Sequence, residues 1–242
     1  MLLRRIIEHT KAQNWTAIAI DFVIVVVGVF IGVQVSNWND DAAERRDTSL
    51  VLQRIHADFE DIMDRANDAL NNHQGNLDGL QLIIETLDRG KLDDERIEEF
   101  RKGLRRAYIH NNAVGRSATY SEILASGKLS LIENEGLRKA LISYDNTVDE
   151  SADVFMQIRM HQSAHIESFT RHYSYAIPAY QLVEGDNWQP VADFDLNAML
   201  NDKDFKNAAH ELREAQRYYF NWHLRTKNRA EEVRNLLALL IS

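Results

Sequence analysis

Residues 17–35 hold one ionisable side chain, Asp21, and one other strongly polar one, Gln34. No other stretch of the chain restricts the fold so narrowly. At about 1.5 Å per residue, a helix of this length covers roughly the 30 Å hydrocarbon core of a bilayer. In lipid a lone segment satisfies its own backbone only as a helix. Trp15 and Trp38 bracket the run, where amphipathic rings favour the two membrane–water interfaces. A cleaved signal peptide would end a shorter apolar region, about 7–15 residues, in a small-x-small site. Here residues 22–33 lead into Gln34-Val35-Ser36-Asn37-Trp38, which offers no such site. The pattern predicts an uncleaved single-pass anchor at residues 15–38, after a short basic segment (1–14) and before a soluble domain (39–242).

Arg4, Arg5 and Lys11 precede the span closely, while Arg45, Arg46 and Arg54 follow at greater distance. Acidic residues such as Asp40 and Asp41 count little in the orientation rule, so the N-terminus is expected to be cytoplasmic. The large C-terminal domain then lies outside the cytoplasm. The chain has no cysteine, which excludes disulfide staples and thiolate metal sites and leaves the redox compartment open.

Asp21, Val25, Gly28, Gly32 and Val35 step by four, three, four and three, and so form one helical stripe. Gly28 to Gly32 is a G-x-x-x-G sequence, which lets two helix backbones approach closely in lipid. The stripe is a candidate contact surface for a homodimer or for another span, with Asp21 turned inward. An ionisable residue inside a membrane is a functional candidate by default. The plainer alternative is that glycine is common in membrane helices.

Residues 40–242 carry 25 Lys plus Arg against 35 Asp plus Glu. Such a surface repels phosphate backbones and excludes nucleic acid as an expected partner. Both prolines fall between Ser174 and Asp195, and no strand-like alternation bounded by turn signals occurs elsewhere. The predicted class is all-α, with an antiparallel bundle of long helices. Val51, Ile55, Phe59, Ile62, Ala66 and Leu70 make a core-facing stripe on a first helix continuing from the span. Asn71, Asn72 and Gly75 are expected to end it. A shorter helix would bury Leu77, Leu80, Ile83, Ile84 and Leu87 and stop at Gly90. The next would be capped by Asp93 or Asp94 and bury Ile97, Phe100, Leu104 and Tyr108. Another would run from Ser117 to Gly127.

Two long helices are expected to form the body, at about 134–173 and 204–240. The second repeats Phe205, Leu212, Tyr219, Thr226, Val233 and Leu240 every seven residues. Its companion series is read as Ala208, Ala215, Trp222, Arg229 and Leu236, a heptad seam suited to near-parallel packing. The connection 174–194 gathers proline, glycine and aromatics, and loops carry function more often than bundle cores do. It is the first place to expect a ligand. The closing apolar run 236–241 is too short to span and should pack on the bundle end or touch the membrane.

Chemical motifs are sparse. The chain contains no Walker loop, no G-x-G-x-x-G and no G-x-S-x-G. His210-Glu211 begins like a zinc-protease helix, but Glu214 stands where the second histidine ligand must be. The Glu-x-x-His pairs of di-iron bundles do not occur. His161, His165 and His172 are spaced to share one helix face, which makes them the candidate metal ligands. The alternatives are a polar surface, histidines bonded to a neighbouring helix, or a pH-sensing face. Tyr218 to Trp222 packs four aromatics into five residues, read mainly as core and secondarily as a binding platform.

The stretch from Asp21 through Gln34 to Asn37-Trp38-Asn39 resembles the start of a widespread bacterial family of uncharacterised single-pass membrane proteins. In that family an acidic residue leads a glycine-bearing apolar span that ends in Gln-x-x-Asn-Trp-Asn. Asp21 stands where many of its members carry glutamate. Residues 119–132, from Thr119-Tyr120-Ser121 through Ser126-Gly127-Lys128, are similar to a second shared segment. The resemblance covers the first forty residues and, more loosely, 117–145. It implies a bacterial membrane protein and no catalytic residue, since the family has none assigned; with the orientation read from the flanking charges, the expected location is the inner membrane with a periplasmic C-terminal domain. The expected role is therefore protein interaction or scaffolding in the lipid bilayer, without catalysis or cofactor. A sensory or ligand-binding bundle is the second reading, and a histidine-based metal protein the third.

Overall fold

A computed structural model describes residues 15–176 and 190–241, with side chains from Phe22 onward except Asp41. The basic segment 1–14 and most of the 174–194 connection lie outside the described residues, as do the side chains of Trp15 and Asp21. The described chain is all-α apart from one small hairpin. Helix α1 spans Trp15–Arg89, α2 Ile97–Arg106, α3 Ala118–Ala125, α4 Glu135–Thr170, α5 Leu196–Asn201 and α6 Lys203–Ile241. Strands β1 (Tyr173–Tyr175) and β2 (Val191–Phe194) pair antiparallel.

The chain divides into two units, Met1–Leu50 and Val51–Ser242. In the first, α1 presents large apolar side chains all round its circumference, from Val27 at 47% to Phe22 at 68% exposure. This helix is long and apolar enough to cross a membrane. Trp38 is 73% exposed.

The second unit reverses the pattern. Ile55, Phe59, Ile62, Ala66 and Leu70 of α1 are buried, as their spacing predicts. Asn71, Asn72 and Gly75, expected to end the first helix, instead lie inside α1, which continues to Arg89. The reason is tertiary. Arg106 donates from Nη2 to Asn72 Oδ1 at 3.0 Å and from Nε to Asn76 Oδ1 at 3.1 Å. Polar residues that would favour a turn are held in helix by partners on α2, offsetting the roughly 1 kcal/mol that a mid-helix glycine costs. Gly90 then ends α1 in the left-handed region, φ +72°, with its N–H on Thr86 O at 3.0 Å.

Helix α2 crosses α1 at two facing glycines. A Cβ added at Gly79 would lie 2.8 Å from Gly103 Cα, and one at Gly103 would lie 2.9 Å from the Gly79 carbonyl. Helix α3 starts at Ser117, whose Oγ accepts from Tyr120 N at 3.0 Å and donates to Asp58 Oδ2 at 2.7 Å. Helix α4 starts at Asn134, whose Oδ1 accepts from Leu137 N at 2.8 Å.

Helices α4 and α6 run antiparallel. Phe169 stacks on Phe205, Phe155 meets Tyr219 edge-on, and Glu150 pairs with Arg225 at 3.2 Å, so numbers rise on one helix as they fall on the other. The first heptad series of α6 is buried from Phe205 to Val233, while Leu240 is 41% exposed. The companion series holds in part. Ala208 and Ala215 are buried and Leu236 partly so, but Arg229 is exposed and Trp222 half-buried, and a second buried row runs through Ala209, Gln216, His223, Ala230 and Leu237. These alternate with the first series by four and three residues, the spacing of a true seam. Two of the five are polar, which is why apolar counting selected the neighbouring row. At the C-terminal end Leu237 is buried, whereas Leu239 is 76% exposed.

The connection predicted at 174–194 is closed at its base by the β1–β2 ladder, with Tyr173 opposite Phe194 and Ser174 opposite Asp193. Arg101 Nη1 donates to the carbonyls of Val191 (3.0 Å) and Ala192 (2.7 Å), holding β2 against α2.

Candidate functional site

The three histidines grouped by sequence separate in the structure. His161 and His165 sit one turn apart on α4, with ring centroids 5.0 Å apart. Glu211 of α6 faces them, its Oε2 lying 3.0 Å from His161 Nε2. The ligand atoms of His161, His165 and Glu211 all lie within 4.8 Å of one another. His172 is not part of this group. Seven residues beyond His165 is two helical turns, roughly 10 Å along the axis, and α4 ends at Thr170. His172 Nε2 instead bonds Asp202 Oδ2 at 2.7 Å.

Asp202 is also the cap of α6: its Oδ1 accepts from Asp204 N at 2.8 Å and Phe205 N at 3.2 Å. The His172 hydrogen bond, together with these backbone N–H groups, holds its carboxyl below the usual carboxylate range. His172 therefore has a structural task at a helix start. Glu211, set aside with the incomplete zinc-protease pattern, takes its place beside the other two histidines. Nothing in a one-helix spacing rule reports a residue on a facing helix.

A second group was not legible as a site. Between two apolar clusters, one around Phe59, Tyr144 and Val233 and one around Ile83, Phe100 and Phe205, lies a buried polar layer. It contains His73, Asn76, Gln216 and His223, none more than 2% exposed. Gln216 Nε2 donates to the carbonyls of Ala107 (3.0 Å) and Ile109 (2.8 Å), just past the end of α2. Asn76 Nδ2 donates to Ile109 O at 2.9 Å. With its amide nitrogen so engaged, Gln216 offers Oε1 as acceptor to His73 Nδ1 at 2.6 Å. His73 accordingly carries its proton on Nδ1, leaving Nε2 to accept from Asn111 N at 3.4 Å. These bonds satisfy carbonyls that α2 leaves unpaired where it stops.

The rings in this layer are stacked. His73 lies 5.3 Å from Tyr219 and 5.1 Å from His223, and His110 covers the other contact of Tyr219 at 5.1 Å. Phe155 meets Tyr219 and His223 edge-on. Burial pushes His73 down to about 4, against the opposing pull of its bond to Gln216. Burial, reinforced by His73, pushes His223 down to about 4 as well. His110 is lowered by burial too. All are neutral at pH 7. His223 Nε2 is buried with no hydrogen-bond partner among the described residues. The sequence signal for this layer is the second heptad row, in which Gln216 and His223 occupy seam positions.

Of the stripe from Asp21 to Val35, the side chains from Val25 onward are described. Gly28 and Gly32 have nothing within 4 Å of where a Cβ would stand. Val25 (63%) and Val35 (58%) are exposed beside them. Of the aromatic run, Tyr219 is buried, Tyr218 is 52% exposed, and Trp222 lies under Arg225 at 4.8 Å. Phe220 is half-buried as well, so of the four aromatics only Tyr219 is core.

No protein-family model, curated protein or solved structure matches this chain.

Proposed function

We propose that this chain is a single-pass bacterial inner-membrane protein whose helical domain lies in the periplasm and acts by contact with other proteins. The observation that carries the reading is the continuous exposure of large apolar side chains around α1 from Phe22 to Val35. In water such a helix would expose far more contiguous apolar surface than soluble monomers tolerate. In lipid it is at its free-energy minimum. The basic residues at positions 4, 5 and 11 support a cytoplasmic N-terminus. The open faces of Gly28 and Gly32 support contact with a second membrane helix through that stripe.

The test is extraction and topology in native membranes. The full chain should stay with the membrane fraction under alkaline carbonate, and a reporter fused after Ser242 should be active only outside the cytoplasm. Val27→Lys, near mid-span, should release a measurable fraction of the protein, because a central lysine costs about 2.5–3.5 kcal/mol on insertion scales. Release of the wild-type chain by carbonate would refute the anchor. A cytoplasmic signal from the fused reporter would refute the orientation alone.

A further inference from the structure

We propose that His161 and His165 of α4 and Glu211 of α6 form a binding site for a divalent transition-metal ion, zinc being its redox-inert representative. The geometry is close to what an ion needs. Tetrahedral zinc, with bonds of about 2.0–2.1 Å, places its ligand atoms roughly 3.3 Å apart. The three candidate donors already lie within 4.8 Å of one another, and the His161–Glu211 pair is at 3.0 Å. The remainder, at most about 1.5 Å between any two donors, is within the reach of side-chain rotation.

The donor set selects the class of ion. Two imidazoles and one carboxylate suit zinc, copper and nickel, whereas calcium and magnesium require all-oxygen cages. The carriers are held firmly. Leu212, next to Glu211, is fully buried, and Gln162, next to His161, is 2% exposed. His161 and Glu211 therefore project from helix positions whose neighbours are locked in the bundle, His165 stands one turn along the same helix, and no loop must order on binding. A plain ion pair accounts for His161 and Glu211. It gives no reason for His165 to bring a third donor to the same point. His161 is exposed and the other two half-buried, so the ion has an entry path and water can complete its coordination.

The experiment uses the full chain in detergent, stripped with chelator and titrated with zinc by calorimetry. One saturable zinc site per chain is expected. His161→Ala, His165→Ala and Glu211→Gln should each weaken it at least about tenfold, since even outer-shell partners of metal ligands are worth 10–100-fold. His172→Ala should leave it unchanged. Melting curves without zinc should coincide for wild type and Glu211→Gln, while saturating zinc should raise Tm only in wild type. Cobalt in place of zinc should give the intense visible bands of a four- or five-coordinate ion, a readout that needs no variant. Absence of saturable zinc binding overturns the proposal. So does binding that survives the Glu211→Gln and His165→Ala changes, or a cobalt spectrum that remains that of the hydrated ion.

Discussion

From Phe22 to Val35 the large apolar side chains point outward on every side of the helix. From Val51 onward most residues of the same types are buried, and polar side chains occupy part of the seam instead. On the proposed single-pass reading, the two regions obey one rule in two solvents. A helix in lipid gains nothing by hiding its valines, whereas a bundle in water is stabilised by hiding them. The bundle then has to satisfy whatever polar groups its geometry traps. The end of α2 delivers unpaired carbonyls to the bundle interior, and Gln216 and Asn76 meet them. Glycines show the same divide. Gly79 and Gly103 already have their close partner, while Gly28 and Gly32 face open space.

The sharpest way to break the polar layer is Gln216→Leu. It strips the Ala107 carbonyl and the His73 Nδ1 proton of their partners at once. Each unsatisfied buried group costs about 1–3 kcal/mol, so a loss of about 2–5 kcal/mol is expected in urea unfolding of the full chain. A change below about 1 kcal/mol would mean that the layer is not a structural element.

Acid should come next. The unfolded chain protonates each imidazole near pH 6.5, but folded His73 and His223 do so only near 4. Between those values the unfolded state binds more protons, and stability falls as pH drops through the window. The loss approaches about 3 kcal/mol for one histidine, and less than double for both, since they share a neighbourhood that also holds His110 and Arg106. His223→Phe keeps the ring and removes one titration. At pH 7 it should cost only the hydrogen bond that the ring makes with the Asn111 backbone, about 1 kcal/mol, and it should flatten the fall in Tm towards pH 4. An unchanged acid slope would sink this assignment.

The smallest effect separates the glycine pairs. Gly103→Ala places a methyl against the Gly79 carbonyl and should cost about 1–3 kcal/mol of bundle stability. Gly28→Ile with Gly32→Ile should leave bundle stability unchanged and abolish pairing in a two-helix membrane reporter. Pairing that persists would remove the stripe as a contact surface.

Much of this fold was readable because its signals are local. The caps at Ser117 and Asn134 and the stops at Gly90 and Gly127 stand where the sequence places them. So does the apolar stripe from Ile55 to Leu70. The failures share a cause. Asn72 and Gly75 look like a helix end until Arg106 arrives from another helix. Gln216 has no apolar signal for the core until α1 and the segment after α2 supply its partners. His172 looks like a third ligand until Asp202 takes it.

Composition and periodicity alone thus set the long apolar helix, the helical class and the position of most helix boundaries. Those depend on transfer free energy and on backbone groups a few residues apart. Which polar side chains lie at the centre, and which carboxylate stands opposite His161 and His165, depended on the antiparallel register of α4 and α6. That register brings together residues some fifty positions apart. Such pairings are fixed by packing the whole seam at once, so no local pattern in the chain records them.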